Sequence, residues 1–123
     1  MAGRALVIDD DAAVRRLLVE FLRVLGWETE EAADGVKGLA LFDRAKPALV
    51  VTDVRMPGLS GWDVVVAIRR RSPRVPIVIV SGADVTPPDP ALARAPALMI
   101  LTKPVGLTQL GDAVARLTAA PSA

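Results

Sequence analysis

The chain has 123 residues, of which 52% are hydrophobic, enough for one compact domain over residues 1–123 with a sizeable core. Lys and Arg total 15 against 14 Asp and Glu, and this net charge of +1 argues against a nucleic-acid binder driven by bulk charge. With no cysteine and no histidine, disulfides, thiol nucleophiles, Ser–His triads, histidine-ligated zinc and phosphohistidine are excluded. The start reaches three aspartates by position 11, unlike a signal peptide, and no apolar run has membrane-spanning length. A soluble cytoplasmic protein with no direct membrane or nucleic-acid contact is expected.

Residues 5–8 are a short apolar strand ending on Asp9-Asp10-Asp11. A helix over about 11–25 follows, because Val14, Leu17, Leu18, Phe21, Leu22 and Leu25 fall on one face of a 3.6-residue period, and Gly26 stops it. Residues 27–33 read as a second strand, and Glu28, Glu30 and Glu31 suit a sheet edge. Asp34 caps a helix to about residue 45 whose buried side is expected at Val36, Leu39, Ala40 and Phe42, with Pro47 closing it. Leu49, Val50 and Val51 form an apolar run without alternation, as in a strand covered on both faces, and it ends on Asp53. The turn after it, with Pro57, Gly58 and Gly61, cannot continue a regular element. A third helix runs over 61–71 with Val64, Val65 and Ile68 inward.

Residues 76–80 form a buried fourth strand ending on Ser81-Gly82. Residues 83–96 hold four prolines, each of which removes a donor and costs about 3 kcal/mol inside a helix, so only a turn or two fits, around 90–94. Residues 97–101 are the fifth strand, ended by Thr102-Lys103-Pro104. Leu107, Leu110, Val114 and Leu117 mark a last amphipathic helix, and 119–123 read as a frayed tail. This alternation predicts an α/β fold with a parallel sheet covered on both faces, its fourth helix short or irregular.

In a parallel sheet all C-terminal strand ends share one edge, so Asp9, Asp10, Asp53, Ser81 and Lys103 can converge there. Two carboxylates about 5 Å apart repel by roughly 3 kcal/mol at an effective dielectric of about 20, and a divalent cation cancels that repulsion. With all-oxygen ligands the natural choice is Mg²⁺. A carboxylate can attack phosphorus and become an acyl phosphate, while a lysine neutralises the phosphoryl oxygens. A hydroxyl at Ser81 can hydrogen-bond the product, and Gly82 leaves it room. Each feature alone has a plain reading: Asp9-Asp10-Asp11 as a helix cap, Asp53 and Ser81-Gly82 as turn chemistry, Lys103 as a solvated charge. Their conjunction at four strand ends favours phosphoryl transfer to Asp53.

Through Val-Ile-Asp9-Asp10, Asp53-Val-Arg-Met-Pro57, Ser81-Gly82 and Lys103-Pro104, residues 4–118 resemble a two-component response-regulator receiver domain of the chemotaxis-regulator type. The resemblance implies a flavodoxin-like doubly wound sheet of strand order 2-1-3-4-5, a topology for which a member of this family is a standing illustration. It implies that Asp53 is phosphorylated and that Asp10 and Asp53 bind Mg²⁺ with the backbone carbonyl of Arg55, Asp9 acting through water. It makes Lys103 the phosphate-binding lysine and Ser81 the switch hydroxyl, and it suggests a cis Lys103–Pro104 bond. The phosphodonor would be a histidine kinase or histidine phosphotransfer protein, and the output a downstream protein target or attached effector. Such a domain is not a classical enzyme: it phosphorylates itself from phosphodonors and slowly loses the phosphoryl group, at a rate that in the family Arg55 and Ala83 would help to set. Two positions depart from the family. Its switch aromatic falls at Ile100, and its regular fourth helix falls on the proline-rich 83–96. The altered helix speaks for a monomer, and both departures leave a phosphorylation-independent docking module as the alternative.

Overall fold

The computed structural model describes residues 3–82, 86–93 and 97–118. The elements are β1 (Gly3–Ile8), α1 (Ala12–Val24), β2 (Trp27–Ala32), α2 (Gly35–Ala45), β3 (Leu49–Thr52), α3 (Gly61–Arg71), β4 (Ile77–Ser81), α4 (Pro90–Ala93), β5 (Leu98–Thr102) and α5 (Leu107–Thr118). The five strands form one sheet, all neighbours parallel, in the order β2-β1-β3-β4-β5. This is the doubly wound, flavodoxin-like arrangement, with the glutamate-rich β2 at an edge as expected.

Alternate residues of the central strands feed two cores, because successive side chains of a strand point to opposite faces. Ala5, Val7, Leu49, Val51, Val78 and Val80 pack with Leu18 and Leu22 of α1 and Leu110 and Val114 of α5. Leu6, Ile8, Val50, Ile77 and Ile79 pack with Phe42 of α2 and Trp62, Val64, Val65 and Ile68 of α3. Burying each of these larger side chains contributes roughly 1.5–3 kcal/mol, which is what holds the strand ends in common register. That register runs Ala32, Ile8, Thr52, Ile79, Ile100 straight across the sheet, one residue before Asp9 on β1 and Asp53 on β3.

Three local expectations need correction. In α2, Val36 is 66% exposed and Ala40 is also exposed, whereas Gly35, Gly38 and Phe42 are buried. The helix lies so close to β1 that a Cβ at Gly38 would strike the Ile8 side chain, so glycine, not valine, faces the sheet. The fifth strand begins at Leu98 because Ala97 has a left-handed φ of 59°, incompatible with extended backbone. The fourth begins at Ile77, since Pro76 has no N–H and supplies only its carbonyl, to Val50 N at 2.9 Å. Helix α4 is four residues long, as the prolines required. Arg94 and the tail over 119–123 lie outside the described residues.

Candidate phosphoryl-acceptor site

The site begins one residue beyond β1 and β3. The Asp9 N–H donates to the Ala32 carbonyl at 3.1 Å and the Asp53 N–H to the Ile8 carbonyl at 3.0 Å, so the ladder places both aspartates side by side on the polar edge. Asp9 is fully buried and Asp53 only 7% exposed, while Asp10 is exposed. Each of the three offers a carboxylate oxygen within 4.8 Å of the others. Asp11 does a different job. Its carboxylate caps α1, accepting from Ala13 N at 2.9 Å and Val14 N at 3.2 Å. The aspartate run thus divides between cap and pocket.

Lys103 reaches in from the far side of the sheet. Its Nζ lies 3.1 Å from Asp53 Oδ2 and 3.3 Å from Asp9 Oδ2. The remaining oxygens accept backbone N–H groups, Asp9 Oδ1 from Asp11 at 2.9 Å and Asp53 Oδ1 from Val54 at 2.7 Å. Burial works to push the Asp9 carboxyl above the usual range, and the bonds from Asp11 and Lys103 only partly offset it. For Lys103, burial opposes the ammonium, but the Asp53 hydrogen bond and the charges of Asp9 and Asp53 outweigh it, so its pKa is raised. At neutral pH the lysine is a cation held between the Asp9 and Asp53 side chains.

Ser81 is buried at the end of β4, and its carbonyl accepts from Lys103 N at 2.7 Å, tying the Ser81 backbone to the lysine. The Lys103–Pro104 bond is cis. Gly82 is exposed, and among the described residues nothing lies within 4 Å of where a Cβ would stand. Arg55 is exposed in the loop after Asp53, Ile100 is 39% exposed on β5, and Ala83 lies outside the described residues.

Several supporting residues escaped the sequence reading. Gly61, read as a turn residue and the start of the third helix, donates to Val54 O at 2.8 Å, and a Cβ there would collide with the Asp53 carbonyl. Thr52 is buried with its hydroxyl donating to that same carbonyl at 2.9 Å. Arg15 reaches back from α1 to the Asp9 carbonyl at 2.7 Å. The two-glycine spacing around Leu59-Ser60 could have flagged Gly61; nothing in the one-dimensional pattern singles out Arg15.

The model of the response regulator receiver domain family matches residues 5–115. The chain belongs to the response regulator receiver domains. Among curated relatives of this receiver, the response regulator MprA of Mycobacterium sp. (strain KMS) is 38% identical over 110 residues, 89% of this chain and 48% of that protein. The probable transcriptional regulator ycf27 of Porphyridium aerugineum is 42% identical over 79 residues, 64% of this chain and 32% of that protein. The receiver therefore spans about a third to about a half of the length of these relatives. Among solved structures, the Vibrio cholerae chemotaxis protein CheY4 has a TM-score of 0.84 at 28% identity, covering 95% of this chain and 99% of that one. Response regulator TrrA of Thermotoga maritima, solved in complex with Mg²⁺ and beryllofluoride, has a TM-score of 0.82 at 30% identity, covering 94% and 98%. Among the described residues, no helix is long and apolar enough to cross a membrane.

Proposed function

We propose that this receiver accepts a phosphoryl group on Asp53 from the phosphohistidine of a histidine kinase or phosphotransfer protein. The observation that carries the reading is the set of three carboxylates within 4.8 Å of one another, faced by the Lys103 ammonium. Such a group of hard oxygens with uncancelled charge fits Mg²⁺, and Asp10, Asp53 and the Arg55 carbonyl would hold it, with Asp9 acting through water. When bound, Mg²⁺ would neutralise charge on the transferring phosphoryl oxygens.

The chain's own groups do the rest. An Asp53 carboxylate oxygen forms the bond to phosphorus as the donor's imidazole nitrogen leaves with the bonding pair. Lys103 holds Asp53 in place and compensates negative charge on the product. Ser81, with Gly82 beside it, hydrogen-bonds the new phosphate. The phosphorylated state biases protein–protein contacts of a downstream target or attached effector, and hydrolysis of the acyl phosphate resets it.

Intact-protein mass after incubation with acetyl phosphate tests this, with and without Mg²⁺ and with Asp53→Asn as control. The expected result is a Mg²⁺-dependent gain of one phosphate, absent in the variant. No gain, together with failure to bind beryllofluoride and Mg²⁺, would replace the reading with the phosphorylation-independent docking module.

A further inference from the structure

Asp9 and Asp53 are each held by two hydrogen bonds to their carboxylates. The Asp10 carboxylate accepts none among the described residues, so only its backbone determines where it points. That backbone is the loop between β1 and α1: the Asp11 cap fastens its far end to the helix, and Arg15 fastens its near end at Asp9. Arg15 stands one turn into α1, its N–H donating to Asp11 O at 2.9 Å, and helix side chains lean toward the N-terminus. Its Nη1 donates to the Asp9 carbonyl at 2.7 Å and its Nε to Glu31 Oε1 at 3.2 Å. The arginine side chain is only 18% exposed. The Asp9 N–H is in turn fixed to Ala32, the residue after Glu31. Asp9, Ala32, Glu31 and Arg15 thus close a ring around the peptide that leads into Asp10.

We propose that Arg15 is a positioning residue for the Mg²⁺ site: it clamps the Asp9 carbonyl and so aims the otherwise untethered Asp10 carboxylate. The claim rests on the metal reading of the previous section. A plain surface ion pair between Arg15 and Glu31 is the competing account, and such pairs contribute little. The short bond from a mostly buried guanidinium to a backbone carbonyl goes beyond that account. Lysine cannot replace it, because one ammonium lacks the planar fork that serves the Asp9 carbonyl and Glu31 together.

The two accounts differ in sign. As a mere charge, Arg15 repels a cation, so its removal would tighten Mg²⁺ binding. As a clamp, its loss weakens binding whether or not the charge is kept. Residues that orient metal ligands from behind typically cost 10–100-fold in affinity when changed. Titration calorimetry of Mg²⁺ into wild type, Arg15→Lys and Arg15→Gln is expected to show Kd raised about tenfold in both variants. An unchanged Kd in Arg15→Lys, or a lowered one in Arg15→Gln, overturns the proposal.

Amide hydrogen exchange of the metal-free proteins gives an independent readout. The Asp11 amide, which donates to Asp9 Oδ1, should exchange faster in Arg15→Lys while core amides of β1 such as Val7 stay protected; an equal rate at Asp11 overturns the clamp. If wild type binds no Mg²⁺ at all, the metal reading fails, and the exchange comparison still decides whether Arg15 holds the loop.

Discussion

Asp10→Asn separates the repulsion in the pocket from the metal that would relieve it. Two unit charges at 4.8 Å, the outer limit for these carboxylates, repel by about 3.5 kcal/mol at an effective dielectric of about 20. Asp10 enters two such pairs, about 7 kcal/mol gross, but it is exposed, and solvent and salt screen most of that. A net gain of about 1.5 kcal/mol on removing its charge is a reasonable expectation, since its carboxylate accepts no hydrogen bond that would be lost among the described residues. For a chain of 123 residues the unfolding entropy is about 0.26 kcal/mol per degree, so the metal-free variant should melt about 6 °C above wild type. Mg²⁺ at ten times its Kd stabilises by about 1.4 kcal/mol, or about 5 °C, and should do so in wild type only. Melting followed by circular dichroism, with and without millimolar Mg²⁺, reads both effects. A wild-type Tm unmoved by Mg²⁺ while Asp10→Asn is raised would leave repulsion without a metal site. A metal-free Asp10→Asn no more stable than wild type would refute the repulsion itself.

Three further outcomes follow from the same geometry. Gly61→Ala should lose more than about 2 kcal/mol in urea unfolding, because the new methyl meets the Asp53 carbonyl and the Val54 Cα, backbone atoms that cannot swing aside. Asp11→Ala should cost about 1 kcal/mol by the same assay through loss of the α1 cap. Lys103→Met should destabilise the metal-free protein by about 3 kcal/mol and tighten Mg²⁺ binding in calorimetry, yet depress labelling by acetyl phosphate, since the ammonium both competes with the cation and neutralises the phosphoryl group.

What the sequence could disclose was set by periodicity and punctuation. The strand ends were legible because unbroken apolar runs stop abruptly at Asp9, Asp53, Ser81 and Lys103, and parallel pairing then brings those stops together. The brevity of α4 followed from proline chemistry. The buried face of α2 was not legible, because hydrophobic pattern favours Val36 and Ala40 over glycine, while Gly38 is buried because it lacks a side chain that would meet Ile8. The aspartate run, by contrast, was legible: Asp9 and Asp10 were read at the strand end and the helix from about Asp11, and the structure groups Asp9 and Asp10 with Asp53 and gives the cap to Asp11. Arg15 acts through a backbone carbonyl, and a main-chain partner leaves no trace in residue type.

The route by which a change at Asp53 leaves the pocket can be argued from Ser81. In this receiver Ile100 has no polar tip to exchange between solvent and core, and at 39% exposure it already stands at the surface. A backbone route is present instead: Lys103 joins Asp53 through its ammonium at 3.1 Å and Ser81 through its N–H at 2.7 Å, and Ser81 pairs with Thr102 on β5. Any movement of Ser81 toward a phosphate on Asp53 must pull on the Lys103 amide and so on the end of β5. Beryllofluoride with Mg²⁺ should therefore shift the amide resonances of Ser81, Thr102 and Lys103 in both wild type and Ile100→Ala, and the variant should lose no more than about 1 kcal/mol of stability. If Ile100→Ala abolishes the shifts at Thr102 and Lys103 while beryllofluoride still binds, the signal travels through the Ile100 side chain, and the backbone route is wrong.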